Sequence, residues 1–221
     1  TCRVELLEHF VRLAVHHQLA AAQDKQPVGE PHVARTMGDV DQGLPALQGF
    51  QGLDKGLVAI VVEKLAGLKP VFRPDGRITA GNASQICDGA AAVMLASERA
   101  VKQYNLTPLA RIHEMTVTAG DPVIMLEEPL FATDRALARS GMKISDIDLF
   151  EVNEAFASVV LRFQQAFDVD PALVNVNGGS IAMGHPLGAT GAIIIGTLLD
   201  ELERQDKEVG LATLCIASGM G

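Results

Sequence analysis

A histidine in a glycine-rich stretch is the first group in this sequence that could do chemistry. His185 lies within residues 175–191, which contain five glycines, and a proline follows it directly. Glycine lets the backbone take positive φ and approach other backbone closely, and the proline biases His185 toward an extended conformation. We therefore expect a strand end, a stiff loop that presents His185, and then a helix.

Cys215 and Asn153 are the other two residues whose side chains could take part in chemistry. Cys215 opens the stretch Cys-Ile-Ala-Ser-Gly-Met-Gly that runs to residue 221, and Asn153 follows the short predicted strand 148–152. The thiolate is the reactive form of cysteine, and a neighbouring imidazole or helix N-terminus lowers the thiol pKa. Our working hypothesis is that His185 and Cys215 face one site.

Strands alternate with helices from about residue 90 onward, and these elements must position the three groups. Short segments rich in apolar residues predict strands at 90–96, 110–118, 148–152, 174–176 and 209–216, and helical spacing predicts helices at 98–104, 129–140, 155–167 and 189–204. This alternation indicates an α/β domain with a substantial parallel component. Asn153, His185 and Cys215 each fall near the end of a predicted strand, where open α/β sheets gather their sites.

The first 62 residues have a different character. Residues 4–22 could form a helix, residues 57–62 are a short apolar run, and residues 23–56 between them are rich in Gly, Pro, Gln and Asp with little periodicity. The middle stretch therefore reads as loop or poorly ordered chain. Four of the six histidines lie in this region. Their spacing gives no clear ligand set, so no metal site is expected.

Composition excludes several classes of function. Hydrophobic residues make up 48% of the chain, enough for a core, and the net charge of −9 argues against a nucleic-acid partner. Three widely spaced cysteines indicate a reduced, intracellular protein. No apolar run approaches the roughly 20 residues of a membrane span, and the first residues lack a secretory signal. We expect a cytoplasmic protein.

Four short motifs, in order along the chain, resemble the thiolase family. They are Gly81-Asn82-Ala83-Ser84 before Asp88-Gly89-Ala90-Ala91, Asn153-Glu154-Ala155-Phe156, Gly184-His185-Pro186-Leu187-Gly188, and Cys215-Ile216-Ala217-Ser218-Gly219-Met220-Gly221. Any one of them is a weak signal, whereas four in family order are specific. Residues 63–108 are similar to the end of the family's N-terminal half and residues 109–221 to its C-terminal domain; residues 1–62 show no resemblance.

The resemblance implies a layered αβαβα fold built from two similar halves, incomplete in this chain. It also implies acyl transfer between coenzyme A thioesters, either thiolytic cleavage of a 3-ketoacyl-CoA or the reverse Claisen condensation. Coenzyme A would be a substrate, and no cofactor or metal would be bound. Ser84 and Phe156 match positions that line the pantetheine channel. The full-length protein is expected to be a homo-oligomer without a nucleic-acid partner or membrane span.

The same motifs carry catalytic roles. His185 resembles the base that activates the family's nucleophilic cysteine, and Cys215 resembles the second cysteine, which exchanges a proton with the incoming thiol or the substrate α-carbon. Asn153 resembles the residue that holds a water in an oxyanion hole, where His185 shares the thioester oxygen. The backbone N–H of Ala217 matches a donor of the second oxyanion hole. Preorganised donors of this kind are worth about 3 to 4 kcal/mol each.

The family's nucleophile has no recognisable counterpart. It belongs to a Cys-(Ser/Ala)-Ser-Gly-like loop, whereas Cys2 is followed by Arg-Val-Glu, and Cys87 occupies a motif position not tied to nucleophilic chemistry. Ser218 stands where glycines are common and is expected to need a permissive φ. Two hypotheses follow: an incomplete chain of an acyl-CoA acyltransferase, or a non-catalytic thiolase-like fragment.

Each candidate residue also has a purely structural interpretation. His185 could be a loop histidine that is hydrogen-bonded for structure, and Cys215 could be an inert buried thiol. Asn153 could be a simple helix cap, and it would serve as one in either case. These alternatives are decided by which side chains the fold brings together.

Overall fold

The computed structural model of this protein describes residues 2–5 and 63–221. Strand β1 spans Cys2–Glu5, so residues 4 and 5 lie in a strand and not in the predicted helix 4–22. The rest of that helix, the apolar run 57–62 and the loop-like stretch between them lie outside the described residues.

An antiparallel sheet contains the first three described strands. β1 lies between β2 (Met94–Ser97) and β3 (Ala110–Arg111) and pairs antiparallel with both. The prediction of a long strand at 110–118 was wrong, since only its first two residues pair here. Farther along, Thr118 exchanges backbone hydrogen bonds of 2.8 and 3.1 Å with Gly221, so the last residue of the chain holds this segment in place.

Three of the helices begin and end close to where the pattern predicts them. α1 spans Glu98–Tyr104, and the Ser97 hydroxyl caps it by accepting from the N–H of Ala100. α2 spans Glu128–Ser140 and ends at Gly141, whose φ of 74° needs the conformational freedom of glycine. α3 spans Ala157–Phe167. The predicted helices 98–104, 129–140 and 155–167 are therefore confirmed.

A parallel strand pair forms the centre of the C-terminal part. β4 (Leu149–Val152) and β5 (Gly210–Thr213) pair in parallel from Leu149 opposite Gly210 to Val152 opposite Thr213. The predicted strand 174–176 is reduced to one parallel bridge between Val174 and Phe150. Because the two strands run the same way, the residues that follow them emerge at one edge of the sheet.

The core lies on both faces of β4. Phe150 and Val152 pack with Val159, Val160 and Phe163 of α3 on one face. On the other face, Leu149 packs with Leu198 and Leu202 of the long helix that precedes β5. Alternate residues of a strand point to opposite faces, so helices cover both sides of the pair, as the α/β fold class requires.

The glycine-rich stretch contains a short helix that the sequence did not predict. α4 spans Ser180–Met183, and the long helix α5 spans Thr190–Arg204, which confirms the predicted helix at 189–204. Single 3₁₀ turns lie at Ile144–Asp146, Pro171–Leu173 and Leu187–Ala189. His185 therefore follows a helix, and the expectation that it follows a strand end was wrong.

Candidate active site

Asn153 is held at the carboxyl end of β4. Its backbone N–H donates to the carbonyl of Thr213 at 3.0 Å, which extends the pairing with β5 by one step. The side chain is only 2% exposed, so its amide needs partners within the protein. The hydroxyl of Ser180 donates to Asn153 Oδ1 at 2.6 Å. With its oxygen engaged there, the amide directs Nδ2 toward Nε2 of His185, 3.5 Å away.

Two asparagine side chains hold the loop that leads to Ser180. Asn175 accepts from the N–H of Val152 through Oδ1 and donates to the carbonyl of Val152 through Nδ2, both at 2.8 Å, so it pairs with β4 as a strand residue would. Asn177 Nδ2 donates to Oε2 of Glu201 on α5 at 3.0 Å. The loop is thereby fixed to the central strand and to the long helix.

Glu154 ties the start of α4 to the end of β4. Its Oε2 accepts from the N–H of Ile181 at 3.2 Å, and an acidic group at this position interacts favourably with the first turn of a helix. The carboxylate passes so close to Gly179 that a Cβ on that residue would lie 2.2 Å from Glu154 Cδ. A side chain at residue 179 would therefore displace the Glu154 carboxylate from the N–H of Ile181, and this contact holds the start of α4, including Ser180, in position.

His185 is anchored through its backbone to the first motif. Its N–H donates to the carbonyl of Gln85 at 2.9 Å, and it forms a parallel bridge with Ile86. The next residue, Pro186, lies against Gly89, where a Cβ would come within 2.7 Å of the proline Cγ. Gly184, with a φ of 98°, makes the turn from α4 into this segment.

The two imidazole nitrogens of His185 have different surroundings. Nδ1 lies 2.7 Å from Oγ1 of Thr190, the first residue of α5, and Nε2 faces the amide of Asn153. The ring is half-buried, and this burial lowers the pKa of His185 below its ordinary value of about 6.5. A neutral imidazole has one unprotonated ring nitrogen, which is suited to take up a proton near neutral pH.

Cys215 lies two residues beyond β5, at the same edge of the sheet as Asn153. Its side chain is half-buried against the core around Phe150, and this burial raises the pKa of the thiol. A thiol that stays protonated at neutral pH is suited to donate or exchange a proton. It is less suited to act as a standing nucleophile, because the thiolate is the nucleophilic form.

The segment after Cys215 folds into a tight turn. Ile216 and Met220 exchange backbone hydrogen bonds of 2.8 and 3.2 Å, so the three residues between them form a turn, in which Ala217 and Ser218 are exposed and Gly219 is buried. Ser218 has a φ of 70°, which confirms that this position needs the left-handed region. Within the described residues the N–H of Ala217 makes no hydrogen bond, so it is available as a donor.

Ser84 and Phe156 lie on adjoining segments. The N–H of Ser84 donates to the carbonyl of Ala155 at 3.0 Å, and Ala83 forms an antiparallel bridge with Phe156. The ring of Phe72 stands edge-on to that of Phe156 with centroids 6.2 Å apart, and Phe72 is 71% exposed. Two aromatic rings, one of them open to solvent, provide apolar surface next to Ser84.

Sequence reasoning missed three residues of this region: Ser180, Thr190 and Phe72. Ser180 follows two glycines and is the first residue of α4, and Thr190 stands five residues after His185. A polar side chain that begins a helix beside a functional loop is a usable signal in both cases. Phe72 is an aromatic residue in a loop that contains Pro70, Pro74 and Gly76, a context that favours exposure.

The described part of the chain contains neither a group of metal ligands nor a bilayer-spanning helix. Within residues 63–221, no three His, Cys, Asp or Glu side chains are grouped so that they could hold a metal ion. Among the helices of the same region, none is both long and apolar enough to cross a lipid bilayer.

Two family models match this chain. The model for the C-terminal domain of thiolase covers residues 106–221, more than half of the chain, and the model for the N-terminal domain covers residues 50–99. The N-terminal match thus begins before residue 63, within the segment for which the sequence motifs gave no resemblance.

Curated relatives show the same similarity. The chain is 53% identical over 167 residues to steroid 3-ketoacyl-CoA thiolase FadA6 of Mycobacterium tuberculosis, a match that covers 76% of this chain and 41% of that protein. It is 47% identical over 160 residues to acetyl-CoA acetyltransferase of Paracoccus denitrificans, covering 72% and 41%. The chain therefore spans about two fifths of the length of these relatives.

Solved structures share the fold over the matched part. The crystal structure of human mitochondrial 3-ketoacyl-CoA thiolase superposes with a TM-score of 0.70 at 48% identity, covering 72% of this chain and 41% of that one. The same human protein in complex with CoA gives a TM-score of 0.70 at 48% identity, covering 72% and 40%. The αβαβα thiolase architecture, present here in part, is thus the fold of this chain.

Proposed function

This chain belongs to the thiolase family, and from that premise we propose that it supplies the acid/base and oxyanion part of an acyl-CoA acyltransferase site. The reaction is thiolytic cleavage of a 3-ketoacyl-CoA, or the reverse Claisen condensation of two acyl-CoA molecules. The family's nucleophilic cysteine belongs to a segment with no recognisable counterpart in this sequence.

The relation between His185 and Asn153 carries the proposal. Nε2 of His185 and Nδ2 of Asn153 lie 3.5 Å apart, and the hydrogen bond from Ser180 fixes which end of the asparagine amide faces the ring. Two nitrogen groups directed at one space can hold an oxygen that becomes negatively charged. A purely structural loop histidine would not need a buried amide oriented toward it in this way.

The proton movements follow from the two environments described above. The neutral His185 takes the proton of the nucleophilic thiol at Nε2, and the resulting thiolate attacks the C3 carbonyl of the 3-ketoacyl-CoA. The bond between C2 and C3 then breaks, and the acyl group stays on the nucleophilic sulfur. The electron pair passes to C2, which leaves as the enolate of acetyl-CoA, with its oxygen held by His185 and by a water on Asn153.

Cys215 completes the cycle as a proton exchanger. Its thiol, kept protonated by burial, gives its proton to C2 of the enolate and releases acetyl-CoA. The Cys215 thiolate then takes the proton of an incoming coenzyme A thiol, whose sulfur attacks the acyl-enzyme. The nucleophilic sulfur leaves as a thiolate and recovers its proton from His185. The nucleophilic cysteine and His185 end in their starting protonation states, and Cys215, which gave its proton to acetyl-CoA, is reprotonated by coenzyme A.

The substrate and the setting complete the proposal. Ser84 and Phe156, with the ring of Phe72 beside them, line the channel for the pantetheine arm, and the N–H of Ala217 supplies the second oxyanion donor. The structure of a relative in complex with CoA supports an acyl-CoA substrate. We place the protein in the cytoplasm and as a homo-oligomer when it is joined to the rest of its family fold.

A chimera tests the proposal. The matched 160-residue region of the Paracoccus denitrificans acetyl-CoA acetyltransferase is replaced by the corresponding residues of this chain, so that the relative supplies the nucleophilic segment. We expect the chimera to consume acetoacetyl-CoA when coenzyme A is added, measured as loss of the magnesium-enolate absorbance. His185→Ala and Cys215→Ala in the chimera should each lower kcat by about 100-fold or more.

The outcome separates the two hypotheses for this chain. A folded chimera with no turnover, at a site where the parent enzyme works, would favour the non-catalytic alternative. Equal activity of the chimera and its His185→Ala variant would overturn the assigned role of the imidazole. The isolated chain serves as the reference and is expected to be inactive, since it offers no recognisable nucleophile.

A further inference from the structure

We propose that Thr190 is a positioning residue that, together with the Asn153 amide on the other side of the ring, holds His185 in the tautomer with the proton on Nδ1 and the lone pair on Nε2. The catalytic meaning of this assignment rests on the proposed function. The contact itself is a property of this chain and is measurable without turnover.

The contact has the features of a built hydrogen bond. Oγ1 of Thr190 lies 2.7 Å from Nδ1 of His185, and Thr190 is 2% exposed. Thr190 is the first residue of the long helix α5, which packs against β4 through Leu198 and Leu202. A β-branched side chain at this place has few rotamers available. The hydroxyl therefore has a fixed position relative to the ring.

The direction of the hydrogen bond follows from the other side of the ring. The Ser180 hydroxyl donates to Asn153 Oδ1, so the group that Asn153 turns toward Nε2 is the NH₂ donor. A donor facing Nε2 disfavours a proton on that nitrogen, because two N–H groups would then point at each other. The proton of a neutral ring accordingly sits on Nδ1 and is donated to Oγ1 of Thr190.

This arrangement serves both roles of His185 without movement of the ring. With the lone pair on Nε2, the ring accepts the proton of a thiol. Once Nε2 is protonated, Nδ1 still donates to Thr190, and the facing N–H groups of His185 and Asn153 then share the negatively charged oxygen of the substrate as a common acceptor. A hydroxyl partner accepts from Nδ1 in both states and adds no charge of its own.

Nuclear magnetic resonance of the full 221-residue chain tests the assignment directly. Long-range ¹H–¹⁵N correlation spectra of ¹⁵N-histidine-labelled protein distinguish the two neutral tautomers, and the missing signal in His185→Gln identifies His185 among the six histidines. At about pH 8.5, well above the ordinary histidine pKa of about 6.5, we expect His185 in the Nδ1–H form. An Nε2–H form in the unmodified chain would overturn the proposal by itself.

Three variants show whether Thr190 is the cause. Thr190→Val removes the hydroxyl at nearly constant shape and leaves Nδ1–H without its acceptor, so the Nε2–H fraction of His185 should rise measurably, although the Asn153 amide still faces Nε2. Thr190→Ser keeps the hydroxyl and should restore the Nδ1–H form. Thr197→Val, on the same helix, should change nothing at His185. A tautomer that is unchanged in a folded Thr190→Val protein would contradict the proposal.

The failure of this proposal is distinguishable from the failure of the proposed function. In the chimera, Thr190→Val should lower kcat/KM by roughly 10- to 100-fold, with recovery in Thr190→Ser, on the scale of other groups that orient a functional histidine. If the chimera is inactive in every form while the tautomers behave as expected, the proposed function fails and the role of Thr190 as the orienting group stands.

Discussion

Ser180 and Asn153 meet in a buried hydrogen bond that joins the start of α4 to the end of β4. The hydroxyl donates to Oδ1 at 2.6 Å, and both residues are at most 5% exposed. The bond decides the orientation of the asparagine amide and, through it, which atom faces His185. One hydroxyl thus links the glycine-rich loop to the geometry of the proposed oxyanion site.

Removal of that hydroxyl should destabilise the protein. Ser180→Ala leaves Oδ1 of Asn153 buried without its donor, which costs about 1 to 3 kcal/mol. Urea unfolding followed by circular dichroism measures this loss. The matched control is Ser158→Ala on α3, where the side chain is exposed and the change should stay within about 0.5 kcal/mol. Equal stability of the two variants would show that the Ser180 bond contributes nothing.

Two glycines of the same stretch should differ in how strongly alanine destabilises the protein. At Gly179 the new Cβ would lie 2.2 Å from Glu154 Cδ, whereas at Gly188 nothing lies within 4 Å. Gly179→Ala forces Glu154 away from the N–H of Ile181 and should lower the free energy of unfolding by about 1 to 3 kcal/mol. Gly188→Ala should change it by less than about 0.5 kcal/mol.

The nuclear magnetic resonance signals of the His185 ring show whether each of the two glycine variants changes the candidate site. In Gly179→Ala the ring signals of His185 should shift, because Ser180 moves with α4 and changes the orientation of the Asn153 amide that faces the ring. In Gly188→Ala those signals should stay in place, although Gly188 is closer to His185 in sequence. Shifts of similar size in both variants would mean that the Glu154 contact does not set the site.

Glu151 should make stability depend on pH. It is 4% exposed, and burial, followed by the negative charges of Glu154 and Glu201, raises the pKa of its carboxyl to about 8. The folded protein therefore holds a proton that the unfolded chain releases above a pKa of about 4.5. The contribution of this bound proton to the free energy of unfolding is fully present below about pH 4.5 and is lost progressively as the pH rises to about 8.

The variant Glu151→Gln removes this titration while it keeps the shape of the side chain. We expect its free energy of unfolding to fall less than that of the unmodified protein between pH 5 and pH 8, with a difference of roughly 2 to 4 kcal/mol. Glu203→Gln, at an exposed position of α5, is the control and should follow the unmodified protein. Parallel stability curves for all three proteins would refute the buried proton on Glu151.

Regular elements were predictable from the sequence because their signals are local. Helix α2 combines apolar spacing with a terminating glycine, and β4 is a short, mostly apolar segment before a polar residue. The irregular parts were not predictable in the same way. Asn175 replaces a strand partner through its side chain, and Thr118 is held by Gly221 across more than 100 residues. Neither arrangement leaves a pattern in neighbouring residues.

The residues of the candidate site also differ in how far the sequence alone identifies them. His185, Asn153 and Cys215 carry distinctive chemistry and belong to recognisable motifs, so they were named from the sequence. Ser180 and Thr190 are ordinary hydroxyl residues whose importance comes from the distance to a residue elsewhere in the fold. The motif gives the reacting groups, whereas the tertiary structure is needed to identify the groups that orient them.

Cys215 should be a slow target for alkylation in the folded protein. Burial raises the pKa of its thiol, so the thiolate fraction at neutral pH is lower than in an unfolded chain. Iodoacetamide labelling at about pH 8, followed by mass spectrometry of the Cys215 peptide, should therefore be slower in the native protein than in the same protein in urea. The labelling rate of the native protein should rise steeply at higher pH, because the fraction of Cys215 present as thiolate rises with pH. Faster labelling in the folded state would contradict a protonated Cys215 and, with it, the assignment of this thiol as the donor to the substrate α-carbon.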